Sequence, residues 1–150
     1  DLFRYQLKAS KVQEVTIAEE MEFIKKYLDL ERARFGERMT YQIDIPKELR
    51  QEKIPPMLIQ PLIENAIKHG ISPAVKGGTV WISIHQENDT LQIAVRDSGE
   101  GAKTQNLDDL LDQGVGLSNT HRRLLRRYGK GVQLANNIPS GLRVQFSIPL

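Results

Sequence analysis

Two pairs of segments in which apolar and polar residues alternate constrain the fold of this chain most strongly. The segments "TVWISIHQ" (79–86) and "LQIAVRD" (91–97) flank the turn signal "ENDT", and this order predicts an antiparallel hairpin. The segments "VQLANN" (132–137) and "LRVQFSIPL" (142–150), joined by a turn at "IPSG", predict a second hairpin. A further alternating segment, "MTYQIDI" (39–45), predicts another strand.

Helical periodicity predicts the other elements. A helical lead-in occupies "DLFRYQLKASK" (1–11), and the longest helix follows in 16–36, where Thr16 and Glu19 have the spacing of a capping box. Its apolar stripe comprises Ile17, Met21, Ile24, Leu28 and Phe35. A third helix restarts after the prolines of "KIPPM" (53–57), and a fourth runs from Ser118 to Gly129 with Leu117, Leu124, Leu125 and Tyr128 inward. Strands and helices together predict a mixed α/β layer sandwich.

Length and composition exclude several classes of protein. The 150 residues, 39% of them hydrophobic, suit one domain, and a net charge of +2 does not require a nucleic-acid or membrane partner. The chain has no cysteine and only three scattered histidines, so a disulfide framework and a zinc site are not expected. No apolar run has the length of a membrane span. Because the chain begins without Met inside a helical pattern, we expect it to be a piece of a longer protein.

The helix that contains "IENAIKHG" (63–70) has an unusually diverse polar face. At about 100° per residue, one arc is apolar, with Ile59, Leu62, Ile63, Ala66 and Ile67. The opposite arc carries Glu64, Asn65 and Lys68. An ordinary solvated face favours Lys, Glu and Arg, and Asn gains little in the middle of a helix. A solvated surface and a functional site both remain open for this face.

Two glycine-containing segments downstream are ambiguous when each is taken alone. "DSGEG" (97–101) suits a turn, but a carboxylate at a strand end can also accept a hydrogen bond from an exocyclic amine. "GVGLSN" (114–119) precedes a helix, where free N–H groups attract phosphate. The order of all three segments favours a nucleotide site in which Asp97 holds adenine and 114–119 contacts phosphates. No Walker A motif is present.

The metal side of such a site requires little from the protein. Mg²⁺ prefers hard oxygen ligands and usually keeps several waters while it bridges phosphates, so the carbonyl oxygen of Asn65 would suffice. Glu64 is the candidate base, and Lys68 would offset phosphate charge. Residues 102–113 would close over the ligand as a lid.

The segments "ENAIKH", "DSGEG" and "GVGLSN" resemble, in order, the asparagine box and the two glycine boxes of the GHKL ATPase and kinase superfamily. Nearly the whole chain is similar to the cytoplasmic catalytic end of LytS-type sensor histidine kinases, including "FRYQL", "EEMEFIKKYLDLERARF", "IPPMLIQPLIENAIKHGI", "RLLRRYG" and "FSIPL". The resemblance implies an α+β two-layer sandwich of the Bergerat type, with a mixed, mostly antiparallel sheet backed by helices. It also divides the chain into a trailing dimerisation helix (1–14) and an ATP-binding catalytic domain (15–150).

The resemblance implies the following site residues. Glu64 is the catalytic base, and Asn65 is both an ATP contact and the magnesium ligand. The remaining ATP contacts are Lys68, His69, Asp97, Gly99, Gly101, Gly114, Val115, Gly116, Leu117 and Asn119. Asp112 and Leu142 depart from the family pattern, which often has Gly and Thr at these positions. These departures affect the lid and the water beside adenine.

The implied function is to supply Mg-ATP for the phosphorylation of a histidine. His69, His85 and His121 do not qualify as the acceptor, which in this family lies upstream on a dimerisation helix. We therefore expect the chain to bind ATP but to be inactive alone. Its implied partners are the upstream helices of a homodimeric parent and a response regulator, with no nucleic acid. The implied location is the cytoplasmic side of an inner-membrane-anchored bacterial sensor.

Three alternatives come from other functional classes. The chain could be a non-catalytic interaction module that kept the fold, or a GHKL ATPase of the chaperone or mismatch-repair type. The basic segment "HRRLLRRYGK" (121–130) could instead bind nucleic-acid phosphates, although a helix with solvated arginines explains it better.

Overall fold

The structure is a computed structural model that describes residues 4, 5, 7, 13–99, 111 and 115–150. Its central feature is a five-stranded mixed sheet. The strands along the chain are β1 (Val15–Thr16), β2 (Met39–Asp44), β3 (Lys53–Ile54), β4 (Gly78–Glu87), β5 (Thr90–Asp97), β6 (Gln133–Asn136) and β7 (Leu142–Pro149). The main sheet has the order β2-β4-β5-β7-β6, while β1 and β3 form a separate two-stranded sheet. Only β2 and β4 are parallel; the other neighbours in the main sheet are antiparallel.

The register of the sheet confirms the alternation read from the sequence. Val80 pairs with Asp97 and Glu87 with Thr90, so β4 and β5 form the first hairpin. β6 and β7 form the second. Inward residues of the central strands are buried, including Val80, Ile82, Ile84, Leu91, Ile93, Val95, Val144, Phe146 and Ile148. These side chains form one core with the apolar faces of the helices.

The long helix α1 (Ile17–Phe35) begins as the sequence predicts. The Thr16 hydroxyl accepts a hydrogen bond from the Glu19 N–H (3.1 Å), and Glu19 Oε1 accepts one from the Thr16 N–H (3.2 Å), which completes the capping box. Ile17, Met21, Ile24 and Leu28 are buried and Phe35 is half-buried, so the apolar stripe faces the core. Two 3₁₀ turns come after α1 in the chain, at Gly36–Arg38 and Lys47–Leu49.

Helix α2 (Gln60–Ala66) continues into a π-helical turn, Ile67–Ile71. The helix does follow the "KIPPM" prolines, but it begins only at Gln60, and the proline of its first turn is Pro61. Pro55 and Pro56 lie earlier, before Met57, whose φ is +64°. The apolar arc from Ile59 to Ile67 is buried as expected.

Helix α3 spans Val115–Tyr128 and differs from its prediction in two ways. It begins three residues before Ser118, so Ser118 and Asn119 lie inside the helix and do not cap it. Leu117 and Leu124 are buried and Tyr128 is half-buried, but Leu125 is 44% exposed, which contradicts its predicted inward position. None of the described helices is both long and apolar enough to cross a membrane.

Candidate functional site

The candidate site is organised around the carboxylate of Asp97, the last residue of β5. Asp97 is only 4% exposed. Its Oδ1 accepts hydrogen bonds from the N–H groups of Gly99 (2.8 Å) and Leu142 (3.4 Å), while no described residue donates one to Oδ2. Burial raises the pKa of Asp97, and the two backbone donors act in the opposite direction. One oxygen of a nearly buried carboxylate is therefore left for another partner.

Three glycines surround this carboxylate and leave no room for side chains. A Cβ at Gly70 would lie 2.5 Å from Asp97 Cγ, and a Cβ at Gly99 would lie 2.6 Å from Gly70 Cα. At Gly141, where φ is +103°, a Cβ would lie 1.7 Å from the Asp97 carbonyl oxygen. The sequence identified Gly99 but missed Gly70 and Gly141. Gly70 is the last residue of "IENAIKHG", which was the only signal available for it.

Backbone and side-chain hydrogen bonds attach the β6–β7 connection to the same strand end. Asn137 Nδ2 donates to the carbonyl oxygens of Asp97 (3.0 Å) and Ser140 (2.9 Å), and Ser140 Oγ donates to the Ser98 carbonyl (3.0 Å). Arg96 donates in turn to Asn137 Oδ1 (3.3 Å). Sequence reasoning missed Asn137, because these partners are about 40 positions apart in the chain.

The polar residues of α2 do not share one environment. Glu64 and Lys68 are exposed, and Glu64 Oε1 accepts a hydrogen bond from Gln60 Nε2 (2.8 Å). Asn65 is only 9% exposed, and its Nδ2 is buried without a hydrogen-bond partner among the described residues. Asn65 therefore does not belong to a solvated helix face. A buried amide with an unpaired polar atom is unfavourable unless a partner binds there.

The three histidines have different surroundings. His69 is half-buried, and both its burial and the adjacent Lys68 lower its pKa, which favours the neutral ring. His85 lies exposed on β4. His121 Nδ1 accepts a hydrogen bond from the Val132 N–H (3.1 Å), and Gly131 lies directly against the ring. His121 is therefore a packing residue that joins α3 to the start of the second hairpin.

The first turn of α3 packs close to α2. A Cβ at Gly116 would lie 3.6 Å from Pro61 Cβ and 3.8 Å from Glu64 Oε2. Leu117 is buried and Asn119 is exposed, while only the backbone of Val115 is described. Gly101, Gly114 and the predicted lid (102–113), apart from half-buried Leu111, lie outside the described residues. The structure thus brings Glu64 to Gly116 and brings Gly70 and Gly99 to Asp97.

The donor set fits a magnesium ion held mainly by phosphates and water. Within the described part of the chain, no group of three His, Cys, Asp or Glu side chains could hold a metal ion. A resident ion with an all-protein shell therefore has no basis in these residues. The unpaired atom of Asn65 is its Nδ2, a donor, so only the carbonyl Oδ1 of this buried amide could be a ligand of such an ion.

Two family models match the chain. One, described as "Histidine kinase-, DNA gyrase B-, and HSP90-like ATPase", matches residues 52–150, and another, described as "Histidine kinase", matches residues 1–39. The sensor histidine kinase YpdA of Escherichia coli (strain K12) is 36% identical over 151 residues, which cover 97% of this chain and 26% of that protein. The sensor protein LytS of Staphylococcus haemolyticus is 35% identical over 135 residues, covering 85% of this chain and 23% of that protein. The chain spans about a quarter of the length of these relatives.

Solved structures show the same fold. The nucleotide-free catalytic domain of histidine kinase ThkA superimposes with a TM-score of 0.70 at 15% identity, covering 91% of this chain and 94% of that one. ThkA in complex with the response regulator protein TrrA also gives a TM-score of 0.70 at 15% identity, covering 99% of this chain and 46% of that one. The predicted α+β sandwich with a mixed, mostly antiparallel sheet is thereby confirmed.

Proposed function

The chain belongs to the family of histidine kinase-, DNA gyrase B- and HSP90-like ATPases, and from this membership we propose that it is the ATP-binding catalytic domain of a two-component sensor histidine kinase. One observation carries the proposal for the site: Asp97 is a nearly buried carboxylate, one of its oxygens has no partner among the described residues, and the residues packed against it include glycines, which have no side chain. A carboxylate in this setting accepts a hydrogen bond from the adenine amine, and the glycines let a flat ring approach.

We place the phosphate side of the proposed site, the part that contacts the phosphates of ATP, on α2 and the start of α3. Asn65 would offer its amide oxygen to Mg²⁺, which supplies charge neutralisation for the phosphates when bound. Lys68 and His69 follow Asn65 on the same helix, and exposed Lys68 is free to approach phosphate oxygens. The glycine-containing start of α3, at Val115, Gly116 and Leu117, is the proposed phosphate contact on this helix. Asn119, one turn further on, and Gly99, Gly101 and Gly114 complete the proposed ATP contacts.

Glu64 is the proposed base of the transfer. Its carboxylate is exposed, is oriented by the hydrogen bond from Gln60 Nε2, and lies against Gly116 at the start of α3. From this position it would take the proton from the ring nitrogen of an acceptor histidine that approaches the phosphates. His121 is not proposed as that acceptor, because the hydrogen bond from Val132 and the adjacent Gly131 give its ring a packing role.

The acceptor histidine and the partners are proposed outside this chain. We place the acceptor upstream, on dimerisation helices of which 1–14 forms the trailing part, with 15–150 as the catalytic domain. We also propose that the parent dimerises, is membrane-anchored and keeps this domain in the cytoplasm; the relatives named sensor kinases support a parent with a sensing role. The structure of ThkA with a response regulator supports a response regulator as the downstream partner, and nucleic acid is not proposed as a ligand.

Calorimetric titration with ATP, in Mg²⁺ and in EDTA, tests the nucleotide site. We expect Asn65→Ala to weaken binding in Mg²⁺ on the order of ten-fold, because the ion would lose a protein oxygen ligand and keep its phosphate and water ligands, and to change binding in EDTA much less. Lys53→Ala, at an exposed position on β3, is a control that should leave both titrations unchanged. Equal loss in both buffers would make Asn65 a structural residue.

Two further measurements separate the proposal from its alternatives. Binding of duplex DNA without any ATP binding at millimolar concentration would replace the kinase proposal with a nucleic-acid module. A longer polypeptide that includes the upstream helices, incubated with labelled ATP, should acquire label on histidine. ATP binding without such labelling would favour the non-catalytic module or the ATPase of the same family.

A further inference from the structure

A second buried carboxylate, Glu20 on α1, lies outside the proposed nucleotide site. Its side chain is completely buried (0% exposed). Oε1 accepts a hydrogen bond from the Met57 N–H (3.0 Å), and Oε2 accepts one from the Tyr5 hydroxyl. Each carboxylate oxygen thus has a partner, one from the segment before α2 and one from the N-terminal segment.

The segment that contains Met57 is also held by α3. Arg123 donates to the carbonyl oxygens of Pro56 (2.9 Å) and Met57 (3.3 Å). Met57 has a φ of +64°, which a non-glycine side chain rarely adopts and which persists only where surrounding contacts hold it. Glu20 supplies such a contact at the Met57 N–H and Arg123 at the Met57 carbonyl oxygen, and we refer to Glu20, Met57 and Arg123 as the Met57 clamp.

The Met57 clamp joins the elements that carry the phosphate side of the proposed site. Met57 lies three residues before Gln60, where α2 begins, and Asn65 lies in the next turn of that helix. Arg123 belongs to α3, whose first turn packs against Pro61 and Glu64. A shift of the Met57 peptide would therefore move α2 relative to α3.

Tyr5 connects the N-terminal segment to this clamp. Its ring stacks on Phe23 of α1, with centroids 4.5 Å apart and an interplanar angle of 19°, and its hydroxyl reaches Glu20. Burial and the neighbouring Glu20 raise the pKa of Tyr5, so the hydroxyl stays protonated and remains a donor. The position of Tyr5 is thus linked through one carboxylate to the start of α2.

We propose that Glu20 is a positioning residue that couples the N-terminal segment, through Tyr5 and the Met57 clamp, to the geometry of the nucleotide-binding helix α2. This inference rests on the proposed function, because the output of the coupling is the affinity for nucleotide. The ligand whose affinity responds is a magnesium-bound nucleoside triphosphate. The change that alters this affinity is a displacement of the segment that carries Tyr5.

The central test is Tyr5→Phe, which keeps the stacked ring and removes only the hydroxyl. We expect faster hydrogen exchange in residues 57–66 and a two- to ten-fold weaker binding of Mg-ATP, an effect of about one lost hydrogen bond. Tyr41→Phe is the matched control, since the Tyr41 hydroxyl donates to a different carboxylate of α1, Asp29 (2.9 Å). Both proteins are measured at a temperature where circular dichroism shows them folded.

Glu20 and Arg123 provide two further comparisons. Glu20→Gln keeps an oxygen for the Met57 N–H and a polar group facing Tyr5, so it should resemble wild type more closely than Glu20→Ala in exchange and affinity. Arg123→Gln should act like Tyr5→Phe, whereas Arg122→Gln should not, because exposed Arg122 donates a hydrogen bond to Ser118 of its own helix (3.0 Å) and is not part of the Met57 clamp.

The outcomes separate this inference from the proposed function. If wild type binds ATP, but Tyr5→Phe and Arg123→Gln match their controls in exchange and affinity, the coupling is overturned and the nucleotide site stands. If wild type binds no ATP, the proposed function fails and the coupling of Tyr5 to nucleotide binding fails with it. Lower thermal stability with unchanged affinity and exchange in 57–66 would reduce Glu20 to a purely structural residue.

Discussion

Glu20 and Asp97 are two buried carboxylates in one small domain, and they differ in how their oxygens are used. Burial raises the pKa of both. Both oxygens of Glu20 accept hydrogen bonds from within the chain, whereas in Asp97 only Oδ1 does so among the described residues. The partners of Glu20 are the Tyr5 hydroxyl and the Met57 N–H, whereas Asp97 is surrounded by glycines.

The difference indicates that two buried carboxylates, each of which costs free energy to bury, have different roles in this domain. A buried carboxylate whose hydrogen bonds are complete holds parts of the protein together, because breaking any one of them leaves a buried charge poorly paired. A buried carboxylate with a spare oxygen retains capacity for a ligand. The contrast therefore predicts that changes around Glu20 act through positioning, and changes around Asp97 act on binding directly.

The largest expected effect is that of Gly141→Ala, which tests whether the space around Asp97 is structural. A Cβ there would overlap the Asp97 carbonyl oxygen, and φ at this position is +103°. We expect the free energy of unfolding to fall on the order of 3 kcal/mol or more, from backbone strain and overpacking together. Urea denaturation measures the change.

Gly129→Ala is the control for this substitution. Gly129 also has a positive φ of +77°, but a Cβ there would meet nothing within 4 Å. Its cost should be only about 1–2 kcal/mol, the strain of a left-handed conformation alone. Equal losses for the two variants would show that the glycine enclosure of Asp97 is not tightly packed.

The next largest effect is expected for Asp97→Asn, which sharpens the contrast between the two carboxylates. The amide keeps the size of the side chain, but it replaces a charged acceptor with a group that also donates. ATP affinity should fall about ten- to a hundred-fold, which corresponds to roughly 1.5–3 kcal/mol for a hydrogen bond to a charged group. GTP affinity should fall less, because guanine presents a carbonyl where adenine has its amine.

Calorimetry with both nucleotides and a thermal melt complete the test of Asp97→Asn. Because burial disfavours the charge of Asp97, the neutral amide should not lower the melting temperature at neutral pH. Unchanged ATP affinity would remove Asp97 from the proposed site. A joint collapse of affinity and melting temperature would mean that Asp97 holds the fold, as the alternative turn interpretation requires.

The smallest effect is a pH dependence that both carboxylates should share. A carboxyl group whose pKa is higher in the folded chain contributes stability that is complete below its unfolded pKa, about 4 for Asp and Glu, and is lost as pH rises through the folded pKa. The free energy of unfolding of wild type should therefore fall relative to Asp97→Asn and Glu20→Gln between about pH 4 and neutrality. Urea titrations at several pH values measure this slope, and the opposite slope would show that nearby charges stabilise the ionised forms.

The sequence by itself determined the elements that depend on neighbouring residues. The two hairpins, the capping box of Thr16 and Glu19, and the apolar arc of α2 all have the form predicted, because periodicity and capping are set within a few positions of the chain. The motif order also led to Asp97 at a strand end, as found in β5. Its role as an adenine ligand stays a prediction.

Only the tertiary structure decided which residues meet across the fold. The parallel pairing of β2 with β4 and the exposure of Leu125 depend on packing between distant elements. Asn65 is buried although its helix position is polar, and Gly70 and Gly141 enclose Asp97 from segments about 27 and 44 positions away. Glu20 meets Tyr5 and Met57 in the same way, and Arg123 reaches Met57 from 66 positions further along the chain. Contacts of this kind leave no periodic trace in a single sequence, because each exists only once the layers have packed.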